Sequence, residues 1–222
     1  LKRTKIFDHD FFDYVNLKET MIDGKRYYET PENKKYPSVT TVLSSVMDKT
    51  KLLQWSNRIG KEQADIIKTK AARRGTKFHK ICEDYVLNKE NFYLDHNPTT
   101  IDLFKQVQNF LDKNVSKVYG IEIPLYSNFL RTAGRSDMVC SLNGKNAIVD
   151  YKTSTKIKKE EWIKNYFLQL TTYGLMIEEM YQIEVPYITV VIACEDGELQ
   201  IFPKKLSEFK EEVIYIFRNF EG

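Results

Sequence analysis

Cysteine is scarce in this chain of 222 residues: Cys82, Cys140 and Cys194 lie far apart and form no C-x-x-C pair. An odd, scattered set argues against a disulfide framework, a zinc knuckle and a cysteine-held iron–sulfur cluster, and fits a reducing cytoplasm, that of a host cell if the source is viral. Long apolar runs are missing too. The most apolar stretch, Tyr187–Cys194, is far shorter than the ~20 residues a membrane helix needs, so no membrane association is expected. The first residues, Leu1-Lys2-Arg3-Thr4-Lys5-Ile6-Phe7-Asp8, carry no signal-peptide apolar core. No internal repeat is visible, and the glycine-rich phosphate loop of a motor protein is absent, so any helicase function has to come from a separate protein.

Apolar residues at 42% and charged residues at 29% are what a packed globular chain uses, and they exclude a disordered tail or low-complexity linker. The length suits one domain with elaborations, taken here as a monomer. Net charge is only +3, but it is unevenly placed. Between Lys49 and Lys80 ten basic residues stand against Glu62 and Asp65, with Trp55 and Phe78 among them. Basic segments carrying aromatics suit phosphate contacts and base stacking, although a solvated helix face would look the same.

Residues 17–30 read as a hairpin about Asp23-Gly24. Pro37-Ser38 offers a helix cap, and helical patterning then runs to about Asn88 with breaks near Asp48 and Gly75. Pro98-Thr99 opens another helix. Strand-like runs follow at Val118–Tyr126, Thr132–Leu142 and Asn146–Lys152. The pattern then predicts a helix over 159–181, strands over 185–194 and 198–202, and a helix over 206–219. From residue 98 the order is α-β-β-β-α-β-β-α, an α/β layer on a mixed sheet.

Asn143-Gly144 is the strongest two-residue hairpin signal, and a tight turn there makes facing residues sum to 287. Asp137 then lies opposite Asp150, and Arg135 opposite Lys152, all on one face at the end away from the turn. Two opposed carboxylates repel unless something cationic separates them. Apolar Val139, Ile148, Met138 and Val149 beside them lower the local dielectric and sharpen that repulsion. A hard divalent cation with oxygen ligands would resolve it, and Lys152 could hold a water or a developing phosphate charge. The bland reading is a ladder in which Arg135 and Lys152 merely balance the aspartates.

Gly134-Arg135-Ser136-Asp137, Asp150-Tyr151-Lys152-Thr153 and Gln169-Leu170-Thr171-Thr172-Tyr173 resemble the motifs of the PD-(D/E)XK nuclease superfamily, in its RecB-like and mitochondrial genome maintenance exonuclease-like branch. Pro37-Ser38-Val39-Thr40 and Arg74-Gly75-Thr76-Lys77-Phe78-His79 extend the resemblance upstream. It implies the restriction-endonuclease-like core, α-β-β-β-α-β on a mixed sheet, with an N-terminal helical elaboration. The expected organisation is a single nuclease domain over 1–222: hairpin and basic helices over 1–97, catalytic α/β core over 98–222.

By the same resemblance Asp137 and Asp150 bind Mg²⁺ or Mn²⁺ together with the Tyr151 carbonyl, and Lys152 is the catalytic lysine. Gln169 and Tyr173, at i and i+4 on one helix face, could reach the scissile phosphate or the lysine. His79 matches a helical histidine that can ligate the metal, and Glu122 an acidic position bordering it. The four-cysteine iron–sulfur clasp of some relatives is missing. The function expected is metal-dependent exonuclease action on single-stranded or end-bearing DNA in repair or recombination, beside a separate helicase or recombination protein. Trp55, Arg58, Arg73, Arg74, Lys77 and Arg135 are the candidate nucleic-acid contacts. The rivals are a structure-specific or restriction-like endonuclease and a catalytically idle nucleic-acid-binding module.

Overall fold

The computed structural model describes residues 1–221; Gly222, at the end of the expected core, and the side chain of Lys51, one of the ten basic residues, lie outside the described set. The chain opens with a two-residue strand, β1 (Asp8–His9), and a small antiparallel sheet of β2 (Lys18–Ile22), β3 (Lys25–Glu29) and β4 (Lys35–Pro37). The expected hairpin forms, because Asp23 and Gly24 both take the positive φ that a tight turn of matching twist demands. Ser38 then caps α1 (Val39–Val46), its hydroxyl accepting the Thr41 N–H at 3.0 Å.

Two helices follow, α2 (Thr50–Ile59) and α3 (Lys61–Val86). The expected break near Asp48 is present. The one expected at Gly75 is not: α3 runs straight through it, and the chain turns instead at Gly60, whose φ of 87° is a conformation that only glycine adopts without strain. A mid-helix glycine costs about 1 kcal/mol; the buried face of α3, with Phe78, Ile81, Cys82 and Tyr85, outweighs that.

The helix α4 (Pro98–Asn114) begins with an Asn97 cap and proline in its first turn. Then come β5 (Val115–Ser127), β6 (Thr132–Leu142), β7 (Lys145–Ser154), α5 (Lys164–Tyr181), β8 (Tyr187–Cys194), β9 (Leu199–Lys205) and α6 (Lys210–Arg218). The order of elements from residue 98 is as expected. Both late helices start about one turn after their predicted points, since Glu160–Trp162 and Leu206–Glu208 form separate single 3₁₀ turns. The main sheet is mixed, ordered β1-β5-β6-β7-β8-β9, with β7 and β8 parallel across α5. One face packs against α1, α5 and α6, the other against α3 and α4. Strand alternation feeds both layers: Ile148 joins the first and Val149 the second. No described helix is long and apolar enough to cross a membrane.

Candidate metal centre

Pairing of β6 with β7 follows the Asn143-Gly144 register, from Leu142↔Lys145 to Met138↔Val149, and then stops. One step further the ladder is replaced by a side chain. Asp137 Oδ2 accepts the Tyr151 N–H at 2.9 Å, filling the place that a β6 carbonyl would take. The expected ladder pairs of Asp137 with Asp150 and of Arg135 with Lys152 therefore do not form. The carboxylate itself occupies the gap where the two strands part.

Three further elements converge there. From α3, His79 Nδ1 lies 3.3 Å from Asp137 Oδ1, with neighbouring Phe78 and Cys82 anchoring that turn of helix in the core. From β5, Glu122 faces Asp137 across the sheet, bracketed by Ile121↔Met138 and Ile123↔Ser136. One ligand atom each of His79, Glu122 and Asp137 fall within 4.8 Å of one another. From β7, Asp150 is only 2% exposed, and Lys152 Nζ lies directly against its Oδ2. Lys152 also sits over the Tyr166 ring, 5.2 Å from its centre.

Electrostatics of the cluster follow from burial and like charge. Burial pushes the Asp150 carboxyl up; Lys152 pulls it back, Asp137 adds repulsion, and the result is about 6. Burial and the Asp137 charge likewise raise Glu122 to about 7. Burial alone would depress His79, but the charge and hydrogen bond of Asp137 outweigh it and lift the imidazole to about 9. Asp137 goes the other way: burial works against it, yet His79 and Lys152 hold it below the ordinary carboxylate range. Half-buried carboxylates and an imidazole at this spacing are a nitrogen–oxygen donor set suited to a divalent cation. Asp150 Oδ2, buried and met by the Lys152 ammonium, adds a further oxygen beside it.

The cluster opens onto a cavity of about 650 Å³ lined by Arg135, Gln169 and Tyr173 besides the three donors. Gln169 Nε2 donates to the Tyr173 hydroxyl at 3.4 Å, as their i, i+4 spacing on α5 allows. Tyr173 packs its hydroxyl end against Gly134, where an added Cβ would meet the ring carbon Cε1 and the hydroxyl at 2.9 Å each. The first residue of the Gly134-Arg135-Ser136-Asp137 motif thus makes room for the tyrosine of another motif.

Other candidates stand apart from the cavity. Trp55 is half-buried and Arg58 exposed on α2. Arg73 and Lys77 are exposed and line a separate groove with Lys70 and Thr99, on the flank of α3 turned away from Thr76, His79 and Glu83. Arg74 is tied down, donating to Thr153 Oγ1 at 3.0 Å and to Glu195 at 2.8 Å. The ring of Tyr151 is buried in the α3-side core, its hydroxyl donating to Met138 Sδ. Sequence reasoning quoted Pro37-Ser38-Val39-Thr40 only as part of the resemblance and missed Arg26 and Tyr28 altogether; Arg26, Tyr28, Ser38 and Thr40 form a further wall of the same cavity. Tyr166, three residues before Gln169 on the same helix, could have been found by spacing; Arg26 gave no signal.

The sequence profile of the PD-(D/E)XK nuclease superfamily matches residues 96–212, more than half of the chain. The protein belongs to that superfamily. Its nucleases use divalent metals, and the donor set described above fits one. The chain is similar to mitochondrial genome maintenance exonuclease 1 of Homo sapiens, 29% identical over 174 residues that make up 72% of this chain and 50% of the relative. The Mus musculus protein of the same name is 26% identical over 173 residues, with the same coverage. The chain thus spans about half the length of the curated relatives it matches. A solved structure of a candidate exonuclease from Eubacterium rectale aligns over 66% of this chain and 64% of its own, at 12% identity and a TM-score of 0.46.

Proposed function

We propose that the protein is a metal-dependent deoxyribonuclease that removes nucleotides from ends of DNA, acting on single-stranded or end-bearing substrates. The observation that carries this reading is the meeting of His79, Glu122 and Asp137 from three elements at the wall of one cavity, with the buried Asp150 and its Lys152 partner behind them. The exonuclease names of the curated relatives support it.

His79, Glu122, Asp137 and Asp150, with the Tyr151 carbonyl, would hold Mg²⁺ or Mn²⁺. Bound there, the cation supplies positive charge to the phosphate under attack and acidifies a water. Asp150 fixes the Lys152 ammonium, which stays protonated and steadies the attacking water or the charge growing on phosphate. Gln169 and Tyr173 orient the scissile phosphate as a linked pair. Arg135 holds a neighbouring phosphate at the cavity rim, while Arg73 and Lys77 attract the strand over the far flank of α3 and Trp55 offers a stacking surface. Arg74 serves as a strut between α3 and the ends of β7 and β8. The enzyme acts as a single-domain monomer in the cytoplasm, in repair or recombination, with strand separation left to a separate helicase or recombination protein.

The test is digestion of linear and circular single-stranded DNA, with Mg²⁺ or Mn²⁺ and with chelator. Linear strands should be degraded, circles should survive, and chelator should stop the degradation. Cutting of circles would make it an endonuclease; binding of DNA without cleavage under any metal would make it a binding module.

A further inference from the structure

One backbone feature of the site is strained and has its own support. In an extended strand, residues two apart share a face. In β5 they do not: Ile121 packs into the layer with α3 and α4, and Ile123 into the layer with α1 and α5. The reversal falls on Glu122, whose φ is +47°. A left-handed conformation costs a residue with a side chain about 1–2 kcal/mol, so something must hold it. The pairing of β5 with β6 is already irregular just before this point, between Val118 and Gly120.

On its outer edge β5 is covered first by β1, then by single backbone bonds from Asp10 N–H to Val118 O and from Phe12 N–H to Tyr119 O, both 2.9 Å. At Ile121 that cover passes to a side chain. The Tyr14 hydroxyl accepts the Ile121 N–H at 2.7 Å and donates to the Ile121 carbonyl at 3.0 Å. A hydroxyl can do both at once, so one oxygen takes the place of a whole strand partner.

We propose that Tyr14 is a positioning residue of the metal site: by gripping both backbone groups of Ile121 it keeps the next residue left-handed and so holds the Glu122 carboxylate against His79 and Asp137. The inference rests on the reading of Glu122 as a metal ligand. Tyr14 itself touches neither cation nor substrate. Groups that orient ligands in this way typically govern metal affinity by about 10–100-fold.

The experiment is a double-mutant cycle of Tyr14→Phe and Glu122→Gln in the full chain. Binding of Mn²⁺ alone is read as the rise of melting temperature with metal concentration, and the metal dependence of DNA cleavage is measured in parallel. Tyr14→Phe removes one oxygen from a ring that is 44% exposed, and circular dichroism verifies that the fold persists. We expect Tyr14→Phe to weaken Mn²⁺ binding about 10-fold and to raise the Mn²⁺ needed for half-maximal cleavage equally, with the rate at saturating metal retained. In the Glu122→Gln background the same change should have no further effect on metal binding. Unchanged Mn²⁺ affinity in Tyr14→Phe, while Glu122→Gln loses it, overturns the role of Tyr14 and leaves the metal reading standing. Additive losses in the double variant overturn it as well. Unchanged affinity in Glu122→Gln removes Glu122 from the ligands, and the inference falls with it.

Discussion

Replacing Asp150 with asparagine keeps the shape of the side chain and removes one buried negative charge. In the folded protein its carboxyl is pushed up to about 6 from an ordinary 3.8, with burial as the main cause. A raised folded value means that the stability this group contributes is complete below 3.8 and is lost as pH rises through 6. At about 1.4 kcal/mol per pH unit, that loss is at most ~3 kcal/mol by pH 8. The attraction of Lys152 is already contained in that value, and relaxation of the site with water entry lowers the figure further. The expected net effect is a gain of about 1 kcal/mol for metal-free Asp150→Asn at pH 8, or about 2–4 °C in melting temperature for a chain of this size. Near pH 4 the difference should vanish, because the wild-type carboxyl is then largely neutral too. Differential scanning calorimetry in chelator from pH 4 to pH 8 measures this directly. Adding Mg²⁺ should then raise the wild-type midpoint and leave that of the variant nearly unmoved, since only a site present in the native state gains by mass action. A variant that melts below metal-free wild type at pH 8 and responds to Mg²⁺ just as strongly would show that Asp150 is a structural partner of Lys152 and no metal ligand.

Two other outcomes are expected from single substitutions. Lys152→Ala should fold and lose cleavage by at least ~10²-fold, the scale of one transition-state donor; single-turnover kinetics near the wild-type rate would remove Lys152 from the mechanism. Gly134→Ala drives a methyl group to 2.9 Å from the buried Tyr173 ring and should cost about 1–3 kcal/mol in urea unfolding, with cleavage falling as Tyr173 and Gln169 are displaced; unchanged stability would mean that the ring has room to retreat.

Much of the fold was legible because local signals and tertiary packing agree. The Asn143-Gly144 turn sets a register that holds for five consecutive pairs. It fails at the sixth because a side chain can compete with the backbone for the Tyr151 N–H, and nothing in residue spacing announces that Asp137 will do so. Gly75 and Gly60 are alike in sequence; only packing decides that one sits inside a helix and the other ends it. The basic run shows the same limit. Its composition pointed to a charged surface, but helix phase divides it, turning Lys70, Arg73 and Lys77 to the flank opposite His79, while Arg74 is consumed by Thr153 and Glu195. Register and resemblance together pointed to Asp137, Asp150 and Lys152, and the structure brings the three side chains near one another although not as the expected ladder pairs. His79 and Glu122 came from resemblance alone, since a single histidine and a strand-edge carboxylate have no spacing to read. Tyr14 gave no signal: its partner lies 107 positions further along the chain.

That separation bears on how the molecule folds. The proposed donors come from α3, β5, β6 and β7, and Tyr14, which bonds β5, comes from the segment after β1, so no local fragment holds the whole constellation. Closing such distant loops is slow and late, because chain entropy is lost before the contacts repay it. A partly synthesised chain would have neither the complete donor set nor the cavity, so the proposed activity would arise only with the finished fold. For the same reason the cation should act on lifetime more than on assembly. Bound to a constellation that exists only once folding is complete, it should slow unfolding and leave the folding rate nearly unchanged.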